Sequence, residues 1–269
     1  QPCWENSVSV MISMIPLKTE AIPPVDDVVE FLASNWGDLP AATEAEDGDE
    51  SISFKLDGAL VVAATMPAPI PWSQLEGPCA TSLLWPDAEK ELKGHKAHLI
   101  VTVAGEREPL ESATLLTQVT AAILSASAEA IGVYWGNATL VIPPPVFNDF
   151  AVEMLPDSFP IPIWIDVQVG RNEDGTTFGF TAGMKALGHM EFETNNASES
   201  VGGLRERLFG LAAYVLENGP VIQDGNTVGE DQHERIKVVY SNSEFGHEGQ
   251  VMRLDHERTG RAKPWWKFW

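Results

Sequence analysis

His189, Glu191 and Glu193 alternate by two in the stretch GFTAGMKALGHMEFE, which runs from Gly179 to Glu193. On an extended chain that spacing puts three side chains on one face. A histidine beside carboxylates is the raw material of an acid–base pair. The same face equally suits a sheet edge turned to solvent, and Gly179, Gly183 and Gly188 fit the bends and close backbone approaches of a curved sheet. The stretch therefore reads as frame rather than site.

None of the six histidines, His95, His98, His189, His233, His247 and His256, falls in a two-histidine zinc pattern on a helix. His95 and His98 stand where a helix gives way to a strand, so their side chains diverge and a structural or solvent role is expected. From Asp224, the stretch DGNTVGEDQHER carries Asp, Asn and Gly at the first, third and sixth places of a calcium loop. Val228 and Arg235 then stand where a coordinating oxygen and the bidentate carboxylate are required. A turn into the following strand is the expectation. No serine elbow, phosphate-binding glycine loop or dinucleotide fingerprint occurs, and the glycines of VGGLRERLFG open a helix. No metal, cofactor or catalytic residue is assigned, and the pattern leans away from an enzyme.

Hydrophobic periodicity supplies the frame. SVSVMISMIP alternates as a half-buried strand, and PPVDDVVEFLASNWG has helical spacing with prolines before it and Gly37 after it. SISFKLDGALVVAATM reads as a hairpin turning at Asp57-Gly58. A helical piece around WPDAEKELKGH leads to the buried strand KAHLIVTVAG. The order βαββαβ is that of a ferredoxin-like unit. It repeats through a helix at Pro109–Ser127, two strands across Gly136-Asn137, a helix near Val146–Leu155 and the strand IPIWIDVQVG. A hairpin at Asp174-Gly175, the strand HMEFET, a helix from Val201 to Glu217 and the strand ERIKVVYS follow. The expected fold is α+β: two ferredoxin-like units with mostly antiparallel sheets, open to joining as one continuous sheet. The boundaries are 1–105, 106–245 and a basic aromatic tail at 246–269.

Lys and Arg total 17 against 39 Asp and Glu, a formal charge of −22 that repels phosphate backbones and anionic headgroups, so no nucleic acid is expected as partner. Prolines break every apolar run short of the ~20 residues of a membrane helix, so no membrane span is expected. Cys3 and Cys79 are the only cysteines and are expected unpaired, as in a reducing cytoplasm. The chain begins at Gln1 rather than Met, which leaves room for an upstream segment, a signal peptide included.

LLWPDAEKEL with HKAHLIVTV, AIGVYWGNATLVIPPPVF, GFTAGMKALGHMEFE and ERIKVVYS, in that order, resemble the domain of unknown function 4261 family. The resemblance implies a bacterial, soluble α+β protein and brings no catalytic residues with it.

Two functions from different classes fit. The leading one is a non-enzymatic protein-interaction module that contacts another protein or a second copy through its aromatic tail. Trp265, Trp266, Phe268 and Trp269 would supply the burial and Arg261 and Lys267 the orientation. The alternative is an enzyme or small-ligand binder with a pocket between the two units, lined by Tyr134, Trp135, His98 and His189.

Overall fold

The computed structural model describes residues 9–229 and 235–256. The chain forms two compact units, one of residues up to Asp166 with Ala186–Gly188, the other of Val167–Lys185 with the residues from His189 onward.

The first unit follows the order β1 (Ser9–Leu17), α1 (Val25–Asn35), β2 (Thr43–Asp47), β3 (Ser51–Leu56), β4 (Ala59–Met66), α2 (Trp72–Thr81), α3 (Ala88–Leu92) and β5 (Ala97–Gly105). It continues with α4 (Pro109–Ala126), β6 (Val133–Trp135), β7 (Leu140–Ile142), α5 (Pro144–Met154) and α6 (Ile161–Trp164). Its strands make one seven-stranded antiparallel sheet, β2-β3-β4-β5-β1-β6-β7. The expected hairpin turns at Asp57 and Gly58, whose positive φ angles of 49° and 77° are those of the mirror-image turn that hairpin twist favours.

Alternation along β1 decides which layer covers which face. Ser13 is buried and its hydroxyl meets that of Thr120 in α4 at 2.7 Å, and Ser9 meets Ser112 of the same helix. Met14, one position on, packs against the opposite layer, a cluster of Ile70, Leu75, Cys79, Trp85, Leu92 and Tyr134 built by α2, α3 and the neighbouring loops. Helix α4 buries twelve of its 18 residues, because it also packs against α1 and α5.

The ferredoxin-like pattern is not confirmed. That fold places its last strand outside the first; here β5 lies between β4 and β1, and helices cover both faces. The elements expected to open a second such unit, β6 and β7, instead extend the first sheet. IPIWIDVQVG, expected as one strand, starts with the single turn α6, because Pro160 and Pro162 favour a first helical turn over a ladder.

The second unit contains β8 (Asp166–Arg171), β9 (Thr177–Ala182), β10 (Phe192–Ala197), α7 (Val201–Asn218), β11 (Thr227–Val228), β12 (Ile236–Asn242) and β13 (Gln250–Asp255). They form a separate six-stranded sheet, β11-β12-β13-β10-β9-β8, rather than a continuation of the first. It is mostly antiparallel, with β10 and β13 parallel. Helix α7 starts at Ser200, whose hydroxyl accepts from the Gly203 amide at 3.1 Å, and lays Leu204 and Leu208 against β9. Gly179 permits that approach: a β-carbon there would lie 3.0 Å from Leu208 and 3.1 Å from both Leu204 and the Gln168 carbonyl. The stretch after Glu244 carried no expected element, yet β13 inserts beside β10 with Val251, Met252 and Leu254 buried. Among the described residues no helix is long and apolar enough to cross a membrane.

Candidate functional site

His189, Glu191 and Glu193 do not act as one cluster. Glu191 precedes β10 and is 4% exposed; its carboxylate accepts from the Thr181 hydroxyl at 2.7 Å and the amides of Gly183 and Lys185 at 2.9 and 3.0 Å. It thereby fixes the turn after β9. Glu193, 1% exposed, accepts from the Ser243 hydroxyl and from the Glu244 amide at 2.9 Å. This second carboxylate straps the loop between β12 and β13 over the sheet. Phe245 of that loop stacks on Phe178 and Phe180 with centroids 5.7 and 4.9 Å apart, and His247 meets Phe180 edge-on. His189 donates its amide to the Met184 carbonyl, and burial pushes its pKa below the ordinary value. Among the described residues no group of three or more His, Cys, Asp or Glu side chains could hold a metal ion.

The other assigned residues lie in the first unit. Tyr134 belongs to the core cluster under α2 and α3, and its phenol is pushed upward by burial. Trp135 is 1% exposed and packs on Phe147 with centroids 6.1 Å apart. His98 bonds through Nδ1 to the Ala68 carbonyl at 2.7 Å. His95 accepts the Ile70 amide at Nε2, 2.7 Å away, and its Nδ1 donates to the Leu92 carbonyl at 2.6 Å. Both imidazoles thus hold loops of the frame. The structure brings Tyr134, Trp135 and His98 into one unit and puts His189 in the other. Trp265, Trp266, Phe268 and Trp269 lie outside the described residues.

Sequence reasoning missed an open groove of about 480 Å³ beside α7. Leu211 and Tyr214 of the helix face Val221, Ile222 and Val228 of the following segment, with Glu206 and Arg207 at one end. Tyr214 is 50% exposed and Val221 46%. The wall opposite the helix is firmly tied. The Tyr240 amide donates to Asp224 at 2.8 Å, the Tyr240 hydroxyl donates to the Ile222 carbonyl at 2.6 Å, and Asn226 Oδ1 accepts from the Gln223 amide. Asp224, the first place of the calcium-like stretch, thus serves the expected turn. Arg207 is spoken for by Glu199, at 2.9 and 3.0 Å from Nε, which leaves Glu206 as the exposed charge at the groove's end. The available signal was an aromatic residue, Tyr214, beside the apolar stripe of α7 and followed by a turn sequence.

Over residues 180–255 the chain matches the model of a protein family described as a domain of unknown function (DUF4261). The resemblance read in the sequence holds for that segment, which spans the end of β9 to the end of β13 and includes both the groove and the Glu193 strap. No curated protein and no solved structure matches the chain.

Proposed function

We propose that the protein is a non-enzymatic protein-interaction module and that the groove beside α7 takes the aromatic and basic segment Pro264–Trp269. The observation that carries this reading is where β13 ends. Asp255 pairs with Lys237, which pairs with Thr227 on the groove wall. Those two strand spacings amount to about 10 Å. The eight residues from His256 to Lys263 can span roughly 26 Å.

The chemistry matches the segment. Leu211, Tyr214, Val221 and Ile222 offer apolar surface to indole and phenyl rings, each of which buries on the order of 150–250 Å². Glu206, in a chain of formal charge −22, favours the cations Arg261, Lys263 and Lys267. The segment of one copy can enter its own groove or that of a second copy, and a partner with the same chemistry competes for it. A reducing cytoplasm suits Cys79, a buried free thiol.

The small-ligand reading through Tyr134, Trp135, His98 and His189 has less support, because Trp135 and His98 already serve packing and a loop hydrogen bond.

The test titrates a labelled peptide of the sequence Lys263–Trp269 into a chain lacking Pro264–Trp269. Saturable binding, weakened by added salt and by Tyr214→Ala or Leu211→Ala, supports the groove. Absence of binding, or binding indifferent to both substitutions, overturns it. Equilibrium sedimentation of the full chain then separates a segment held within one copy from one exchanged between copies.

A further inference from the structure

We infer that the groove beside α7 takes its ligand as an added strand: the segment Pro264–Trp269, extended, pairs antiparallel with β11 and turns alternate side chains toward the helix. The inference rests on the groove reading above and specifies how that site binds. Four strands end the two sheets, and three of them are guarded. β2 carries Glu44, Glu46 and Asp47 with a bulge between Thr43 and Glu46, β8 carries Asp166 and Arg171, and the residues of β7 are all buried. Charge and cover are ordinary means by which a sheet edge refuses another chain. Among the described residues β11 has neither. Thr227, Val228 and Gly229 are uncharged, Thr227 and Gly229 are exposed, and no strand pairs with their outer side.

The ladder decides which backbone groups face the groove. Gly225, at a φ of 81°, donates its amide to the Val238 carbonyl at 2.9 Å, and the Val238 amide donates to the Asn226 carbonyl at 2.8 Å. This glycine bulge turns Asn226 toward β12. Alternation along the antiparallel pair then turns the N–H and C=O of Thr227 away from β12. A small apolar ligand fills the groove and leaves both groups to water; a peptide backbone pairs with both and offers its alternate side chains to the wall.

Val228 lines the groove with Leu211 and Tyr214 of α7, so a strand laid beside β11 presents every second residue to that helix. The two sets in Pro264–Trp269 differ. Trp266 and Phe268 are wholly apolar, whereas Trp265 and Trp269 share their face with Lys267. Leu211, Val221 and Ile222 would strip water from an ammonium without replacing it, so Trp266 and Phe268 turn to the helix and Lys267 lies on the other face, opposite Thr227. Direction follows from the chain's exit. β13 runs parallel to β11 with β12 between them and ends at Asp255, level with the Val228 end of β11, so a segment returning from there runs antiparallel to β11.

The experiment titrates peptides of the sequence Lys263–Trp269, with an ordinary backbone or with one amide N-methylated at Trp266, Lys267 or Phe268, into the chain lacking Pro264–Trp269. Methylation at Lys267, the amide turned to β11, is expected to weaken binding by at least about tenfold, and methylation at Trp266 or Phe268 by less than about threefold. Trp266→Ala and Phe268→Ala peptides should lose more affinity than Trp265→Ala and Trp269→Ala. In the full chain the Thr227 amide should exchange slowly, and quickly in the double variant Trp266→Ala, Phe268→Ala. Equal effects at all three methylated positions, or the reverse order, overturn the inference, as does a Thr227 amide that exchanges alike in the full chain and the double variant. If the ordinary peptide still binds and Leu211→Ala weakens it, those results remove the added strand and leave the groove standing. A peptide that does not bind at all removes the groove reading and the strand together.

Discussion

Oε1 of Glu193 lies 3.9 Å from Nε2 of His247, beneath the loop that Ser243 and the Glu244 amide tie to the same carboxylate. The glutamate is almost completely buried at the centre of the second sheet, where an unpaired carboxylate is costly. Its hydrogen bonds, together with the Phe245 stack, hold the β12–β13 loop down on Phe178 and Phe180. Glu193→Ala removes the acceptor and leaves the Glu244 amide unmatched, so the chain should lose about 1–3 kcal/mol in urea unfolding. Hydrogen exchange is the discriminating measurement: the amides of Glu244, Phe245 and His247 should lose protection well before those of β9. If they keep it, the aromatic stack alone holds the loop.

Glycines separate close approach from mere freedom. Gly179→Ala puts a methyl 3.0 Å from Leu208 and 3.1 Å from the Gln168 carbonyl, and a carbonyl of the neighbouring strand cannot swing aside as a leucine can. Destabilisation of about 1–3 kcal/mol is expected. Gly202→Ala, in the first turn of α7 with nothing within 4 Å of the new methyl, should instead stabilise the chain by about 0.4–1 kcal/mol by restricting the unfolded state. Opposite signs in thermal melts are the prediction; equal signs would mean that α7 does not approach β9 this closely.

Cys79 gives a reading on the α2 layer. Burial, with a smaller effect from Glu89, pushes its thiol up to about 11, so little reactive thiolate forms at pH 8. Maleimide labelling at Cys79 should be slow in the native chain and rapid in denaturant, followed by mass spectrometry of the peptide carrying it. Rapid native labelling would show that α2 opens away from Trp85, Leu92 and Tyr134.

What was legible in the sequence depended on local signals. Helix α7 follows from the stripe of Leu204, Leu208, Leu211 and Val215, and the β3–β4 hairpin from Asp57-Gly58, because periodicity and turn chemistry reside in a few adjacent residues. Strand β2, Thr43–Asp47, is wholly exposed and acidic, so it has no alternation to read and looks like a loop. Helix α2 was hidden by Gly77 and Pro78 within it. Strand β13 was hidden because Val251 and Met252 are buried in succession, which interrupts the period of two. Strand order was not legible at all, since the insertion of β5 between β4 and β1 pairs β1 with a segment some ninety residues away, which no local pattern specifies. Within Gly179–Glu193, the partners of Glu193, some fifty residues away in Ser243 and Glu244, carry no local signature. The groove depends likewise on Asp224 reaching Tyr240 across the chain.

His95 links pH to the stability of the first unit. The Ile70 amide donates to Nε2, so the proton must sit on Nδ1, where it meets the Leu92 carbonyl. Burial lowers the pKa of this imidazole below 6.5, the Leu92 carbonyl opposes that shift and His98 adds to it. A histidine whose folded pKa lies below its unfolded value binds fewer protons folded than unfolded, so acid favours unfolding. The stability held by neutral His95 is therefore complete above about pH 6.5 and is lost as pH falls through that value toward the folded pKa. Burial shifts His189 in the same direction, so the two effects add. Urea midpoints measured from pH 8 to pH 5 should fall on acidification. His95→Gln offers Ile70 a carbonyl acceptor that does not titrate, so its midpoints should fall less steeply, whatever their absolute value at pH 8. A slope unchanged by His95→Gln but reduced by His189→Gln would move the acid sensitivity to the second unit, and the Ile70–His95 hydrogen bond would then have to survive protonation by rearrangement.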